Sequence, residues 1–205
     1  MIAVLGAVLG AIFSYWIVYW FFASFFPFDV RSKQIKPSEP VKQVVFRNML
    51  ISFVSGPIIW LILPDLSIYI IDSYILRFLL CVIIADGWFY MMHRLLHTAR
   101  FYKWHKQHHQ FYIPYPLVAL YASPVEAIFC DFMSVGLGPA LLKMNAIEMQ
   151  VWMISMALHS LLIHSTCSYG SDHVEHHGKV SYNFGLFPFF DWLLGTYKKD
   201  QKIDY

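Results

Sequence analysis

Residues 2–28 contain no charged side chain. That is longer than the run of about 20 apolar residues an α-helix needs to cross a bilayer core, so the chain is expected to begin with a membrane span. A cleaved leader is the competing reading. The run lacks a Lys/Arg-rich start and exceeds the apolar region of about 7–15 residues found in signal peptides, so retention is the expectation. Hydrophobic residues make up 58% of the chain and charged residues 14%, against about 45–50% and about 25% in soluble domains. An ordinary soluble globule is thereby excluded. Fifteen Lys and Arg against thirteen Asp and Glu leave a formal charge of +2, which gives no basis for a nucleic-acid partner. Cys81, Cys130 and Cys167 show no disulfide or metal-type spacing.

Residues 29–47 hold Pro37, Pro40, Arg31, Lys33, Lys36, Lys42 and Arg47 and read as a loop beside a membrane surface. A second apolar stretch runs from Asn48 to Leu63 and stops at the turn signal Pro64-Asp65. A third begins at Leu66 and can stay helical to about His97, a length of about 48 Å against a hydrocarbon core of about 30 Å. Its far end must therefore emerge, carrying His93, Arg94 and His97, with Arg100, Lys103 and Lys106 following. Residues 117–142 and 146–165 form another apolar pair, joined by Lys143-Met144-Asn145. Basic residues collect in 29–47, in 94–110 and in the C-terminal tail. By the positive-inside rule these share the cytoplasmic face. The expected fold is an all-α integral membrane protein of helical hairpins, about four to five embedded helices, with a cytoplasmic histidine-rich cap. The expected division is an N-terminal transmembrane region, 1–85, and a catalytic region, 86–205, that includes the hairpin 117–165.

All ten histidines lie between His93 and His177. They form His93-Arg-Leu-Leu-His97, His105-Lys-Gln-His108-His109, His159 with His164, and His173-Val-Glu-His176-His177. Spacing i,i+4 puts His93 and His97 one turn apart on one helix face, with Asp86 and Tyr90 on the same stripe. His105 and His108 make an i,i+3 pair, to which His109 adds a ligand on one side, and the last cluster repeats that arrangement. An isolated histidine is ordinarily a satisfied core residue, but spaced clusters on one membrane face point to metal. A haem with two axial ligands, or a catalytic zinc with three, would leave most of the set idle, whereas two ions at four or five ligands each would use it. Imidazole suits iron, copper, zinc and nickel alike. Were the ions iron, neutral imidazoles would leave them their full charge for dioxygen and for oxidation of an unactivated C–H bond. Aromatic residues near the clusters, among them Phe111, Tyr112, Tyr115 and Tyr121, suit an alkyl or sterol carbon rising from the bilayer.

These residues resemble the fatty acid hydroxylase superfamily, which includes sterol desaturases, C-4 methylsterol oxidases and lipid hydroxylases. The resemblance runs from about Asp86 to Thr196. It rests on the three histidine motifs above, on Tyr121-Ala-Ser-Pro-Val-Glu126, and on Asn183-Phe-Gly185 with Asp191 and Gly195-Thr196. It is nearest to methylsterol-oxidase-like members. The resemblance implies a di-iron oxidoreductase of the endoplasmic reticulum that hydroxylates or desaturates a lipid, using dioxygen and electrons passed from NAD(P)H through a cytochrome b5-type donor. The implied metal ligands are His93, His97, His105, His108, His109, His159, His173, His176 and His177. His164 stands at i,i+5 from His159, which a regular helix turns partly away, and is left open. Asp86 is expected to accept from a ligand imidazole, as partners of ligating histidines commonly do, while Asn183, Gly185 and Asp191 would close the cap. Fatty-acyl or sphingolipid hydroxylation is the alternative chemistry. A metal-binding membrane protein without turnover is the alternative of another class, since Ser123 stands where many relatives have histidine.

Overall fold

The computed structural model describes residues 2–25, 39–63, 73–165 and 171–198, and among them there is no strand. Five helical segments are long and apolar enough to cross a membrane: Ile2–Ser24, Glu39–Ile62, Tyr74–Leu96, Pro124–Leu141 and Ala146–Ile163. The uncharged N-terminal run forms α1 (Ile2–Phe25). Helix α2 (Glu39–Ile62) starts earlier than expected. Residues 39–47 of the anticipated loop are helical because Pro40 presets φ for a first turn and Glu39 sits at the positive end of the helix dipole. Residues 29–38 lie outside the described part of the chain. Helix α3 (Tyr74–Leu96) opens at Ser73, whose hydroxyl accepts from the Leu76 amide. The expected start at Leu66 lies outside the described residues.

The stretch expected from 117 begins with a 3₁₀ segment, Pro116–Leu120. Its membrane-length part starts only at Pro124, where Ser123 Oγ accepts from the Glu126 amide at 3.2 Å. Ser123, noted for the histidine it replaces, is a helix cap. The rod runs through α5 (Pro124–Glu126), a π-helical stretch (Ala127–Phe132) and α6 (Met133–Leu141). The π stretch frees a carbonyl: Trp88 Nε1 donates to Phe129 O at 2.7 Å. Lys143 turns at φ 47°, and Asn145 and Glu148 form a reciprocal capping box that starts α7 (Ala146–Ile163).

Helix α1 packs chiefly on α7, α3 on α6, and α2 leans on both α1 and α6. Polar side chains tie these contacts internally: Trp16 Nε1 donates to Ser52 at 2.8 Å, Tyr19 OH to Leu117 O at 2.8 Å, and Asn48 Nδ2 to Leu120 O at 2.9 Å. The outer faces are apolar instead. Phe13, Ile17 and Phe21 on α1, Leu50, Val54 and Ile58 on α2, and Ile75, Leu79 and Ile83 on α3 recur every fourth residue and are exposed. Stripes of that size would be a liability in water and are the ordinary surface of a helix bundle in lipid. Beyond the bundle lie α4 (Tyr102–His105), a 3₁₀ turn (His108–Gln110), α8 (Ser171–Gly178) and α9 (Phe189–Leu193). The histidines gather where these cap elements meet the ends of α3 and α7.

Candidate metal centre

Helix α3 brings His93 and His97 to its last turn, and α4 presents His105. The Nε2 atoms of these three histidines form a triangle with sides of 3.0, 3.0 and 3.2 Å, and His176 Nε2 lies 2.9 Å from His97 Nε2. With His109 they make a group of five whose ligand atoms all fall within 4.8 Å of one another. His108, His164, His173 and His177 make a second group of four under the same limit. There His164 Nε2 is 3.3 Å from His108 Nε2 and 3.1 Å from His173 Nε2. The groups adjoin, with the His109 and His177 rings 4.7 Å apart between centroids.

The other ring nitrogens settle the tautomers. His93 Nδ1 faces Phe184 O at 2.7 Å, His176 Nδ1 faces Tyr182 O at 2.7 Å, His177 Nδ1 faces Phe111 O at 2.9 Å, and His164 Nδ1 faces Ser160 O at 2.8 Å. A carbonyl oxygen only accepts, so each Nδ1 carries the proton and each Nε2 keeps a lone pair. His105 Nδ1 donates likewise to Glu126 Oε1 at 2.6 Å. The lone pairs of His93 and His105 therefore meet at 3.0 Å with no hydrogen between them, a repulsive arrangement that a cation beside them turns into binding. Two bonds of about 2.1 Å place their nitrogens about 3.0 Å apart at a right angle and about 3.4 Å apart in a tetrahedron. The observed triangle fits the right angle, and five donors exceed a tetrahedron.

Nine of the ten expected or open positions come together, with two rearrangements. His159, expected as a ligand, stands outside both groups. Its Nε2 donates to Leu186 O at 2.9 Å, and its ring stacks on Phe187 at 4.1 Å. His164 stands inside the second group because α7 ends at Ile163. His164 is the C-cap at φ −96°, ψ 6°, so the i,i+5 argument for a regular helix does not apply to it. The pairing within clusters also differs from expectation. On α8, residues four apart are offset by about 40° and residues three apart by about 60° the other way. Accordingly His173 and His177 serve one group and His176 the other. The same division sends His105 and His109 to the first group and His108 to the second.

Asp86 also differs. It contacts no imidazole but accepts from the amides of Phe187 at 2.8 Å and Phe190 at 3.0 Å. The carboxylate that fixes a ring is Glu126, whose position as an acidic residue at the head of an apolar segment was the available signal. Asn183, at φ 58°, receives Lys198 N and donates to Lys198 O, and Asp191 accepts from Phe184 N and Gly185 N. Gly185 has no room for a Cβ, which would sit 2.2 Å from Phe187 O and 2.7 Å from Asp86 Oδ1. These contacts close the cap by holding the Tyr182 and Phe184 carbonyls against His176 and His93.

Glu126→Gln should weaken metal binding by the first group about 10–100-fold, the usual range for a lost partner of a ligating histidine, while leaving the second group intact. Titration with a chelator, followed by metal analysis, reads this directly. Burial holds His97 down to about 3, with His109 adding to the effect, and holds His109 and His164 down to about 4. His108, His173, His176 and His177 are pushed down by burial and by one another. An unfolded imidazole takes up a proton below about pH 6.5, so between there and about pH 4 the unfolded chain binds more protons and stability is lost as the pH is lowered. Metal-free protein should therefore show a constant unfolding midpoint above pH 7 and a steady decline from about pH 6.5 to about 4. A profile flat across that window would mean the rings are not buried neutral.

A sequence profile of the fatty acid hydroxylase family matches residues 78–196. Among curated proteins, very-long-chain aldehyde decarbonylase GL1-11 of Oryza sativa is 33% identical over 134 residues, 57% of this chain and 50% of its own length. Methylsterol monooxygenase 2-2 of Arabidopsis thaliana is 32% identical over 141 residues, 59% and 52%. Fatty acid hydroxylase domain-containing protein 2 of Homo sapiens is 28% identical over 179 residues, 79% and 52%. The chain thus spans about half the length of these relatives. No solved structure matches.

Proposed function

The chain belongs to the fatty acid hydroxylase family, and from that premise we propose that it is a membrane lipid oxidoreductase, with a sterol as substrate and two iron ions held by the histidine groups of five and four. The observation that carries this reading is the convergence of Nε2 atoms at 2.9–3.2 Å in the first group, with those of His93, His105 and His176 left their lone pairs by the contacts of their Nδ1 atoms. Bound iron would supply the redox chemistry that activates dioxygen and removes hydrogen from an unactivated carbon.

The protein's own part is to hold and to shield. The carbonyls of Tyr182 and Phe184, together with Glu126, keep His176, His93 and His105 in the tautomer that points a lone pair inward. A cavity of about 290 Å³ borders the second group at His173, lined by apolar Leu186, Phe187 and Trp192 and by polar Asp172, Asn183 and Tyr197. Such a mixed lining suits a substrate that carries both an apolar ring edge and a hydroxyl. Arg94, Arg100, Lys103 and Lys106 fall within and between the first two histidine motifs, which suits a cytochrome b5-type donor bringing electrons from NAD(P)H at a cytoplasmic face, in the endoplasmic reticulum. Similarity to a protein named for methylsterol oxidation supports the sterol. Equal similarity to proteins named for very-long-chain aldehydes keeps a long acyl substrate as the second reading.

The test is iron-loaded protein in lipid nanodiscs with NADH, cytochrome b5 and its reductase under labelled dioxygen, fed 4-methylsterols and very-long-chain acyl lipids in parallel. An oxidised sterol seen by mass spectrometry supports the proposal, and an oxidised acyl chain moves the assignment to the second reading. Absence of oxygen uptake with every lipid leaves a metal-binding membrane protein without turnover and overturns the enzyme.

A further inference from the structure

Away from the histidines, an open groove of about 720 Å³ runs between α2 and the Pro124–Leu141 rod. Its floor is apolar: Leu50, Val54, Ile58 and Ile62 recur at every fourth residue of α2 and face Phe129 and Met133. The one charged residue lining it is Arg47, at the end nearest the metal centre. Arg47 Nη2 donates to Ala122 O at 2.7 Å and to Asn48 Oδ1 at 3.0 Å, and Nε to the same Asn48 oxygen at 3.2 Å. Among the described residues no carboxylate pairs with the guanidinium, and its hydrogen bonds there engage Nε and Nη2 alone. A cation within a candidate span is costly unless it is partnered.

We propose that this groove is a binding site for a long-chain carboxylate, its head on Arg47 and its chain along α2 toward Ile62. Three features select that occupant. The charge at one end is a guanidinium with no carboxylate partner among the described residues, which favours a carboxylate over the hydroxyl of a sterol or alcohol. The fifteen-residue separation from Arg47 to Ile62 spans about 22 Å at the helical rise, close to an extended long acyl chain. The groove is bounded by one helix on each side, which suits a single chain rather than the two of a phospholipid. The groove's lining includes neither Glu126 nor any histidine, and the site does not depend on the catalytic assignment.

The experiment is equilibrium binding of radiolabelled palmitate to full-length protein in phosphatidylcholine nanodiscs, with palmityl alcohol, cholesterol and dioleoylphosphatidylglycerol as competitors. Saturable binding of palmitate is expected, with palmityl alcohol at least about tenfold weaker. Arg47→Gln should weaken palmitate at least about tenfold without changing the alcohol, Arg47→Lys should restore part of the loss, and Val54→Trp should block both by filling the groove. Because Arg47 also ties down Ala122, metal content and helicity are measured on each variant. If Arg47→Gln fails to fold, the wild-type preference for acid over alcohol, together with Val54→Trp, decides. The proposal is overturned if palmitate and its alcohol bind alike, if folded Arg47→Gln binds palmitate as wild type does, or if cholesterol or the phospholipid displaces palmitate equally well.

Discussion

His164→Ala should lower bound metal from about two ions per chain to about one, with activity falling at least about a thousandfold, whereas His159→Ala should keep both ions. Both histidines come from the end of α7, yet only His164 turns its Nε2 toward His108 and His173. His159 spends its Nε2 on Leu186 O. Removing His164 leaves three donors in the second group and takes away the ring whose Nε2 adjoins both His108 and His173, so the ion there should be held weakly enough to be lost on purification. His159→Ala instead loosens the wall formed by Phe187, so a modest rise in KM is expected, with unchanged metal analysis. Equal metal loss in the two variants would show that the division of ligands is wrong.

The second large effect is expected at Asp86, which belongs to neither histidine group. It is fully buried and accepts from Phe187 N and Phe190 N. Asp86→Ala strands both amides, at about 1–3 kcal/mol each, and releases the segment whose Phe184 carbonyl fixes His93. Loss of metal from the first group should follow, together with faster hydrogen exchange at residues 184–191. Asp86→Asn retains one acceptor and should fall between. If exchange in that segment were unchanged in Asp86→Ala, the carboxylate would not be what holds the cap shut.

Both expectations depend on features a linear reading handles poorly. The spans and the three histidine motifs were legible because they depend on local periodicity and composition, whereas the partners of the spans were not, since α1 packs on α7 and α3 on α6 rather than each on its neighbour in sequence. The role of His164 was not, because it depends on α7 stopping one residue earlier, and a helix end is set by tertiary context as much as by sequence. Glu126 and Asp86 look alike in sequence, each a carboxylate within an apolar run. Which one meets an imidazole is decided by the fold bringing His105 to the first and Phe187 to the second, contacts 21 and 101 residues apart. The division of each His-x2-His-His motif between two groups follows from angular offsets on a short helix, visible only once both groups are located.

His176 reaches His97 from 79 residues along the chain. A ribosome that has delivered α1 through α7 into the bilayer has therefore produced an almost complete scaffold with neither ion pocket finished. Helix α8 completes both pockets, so a nascent polypeptide interrupted before it would present loose imidazoles rather than a half-loaded metal centre.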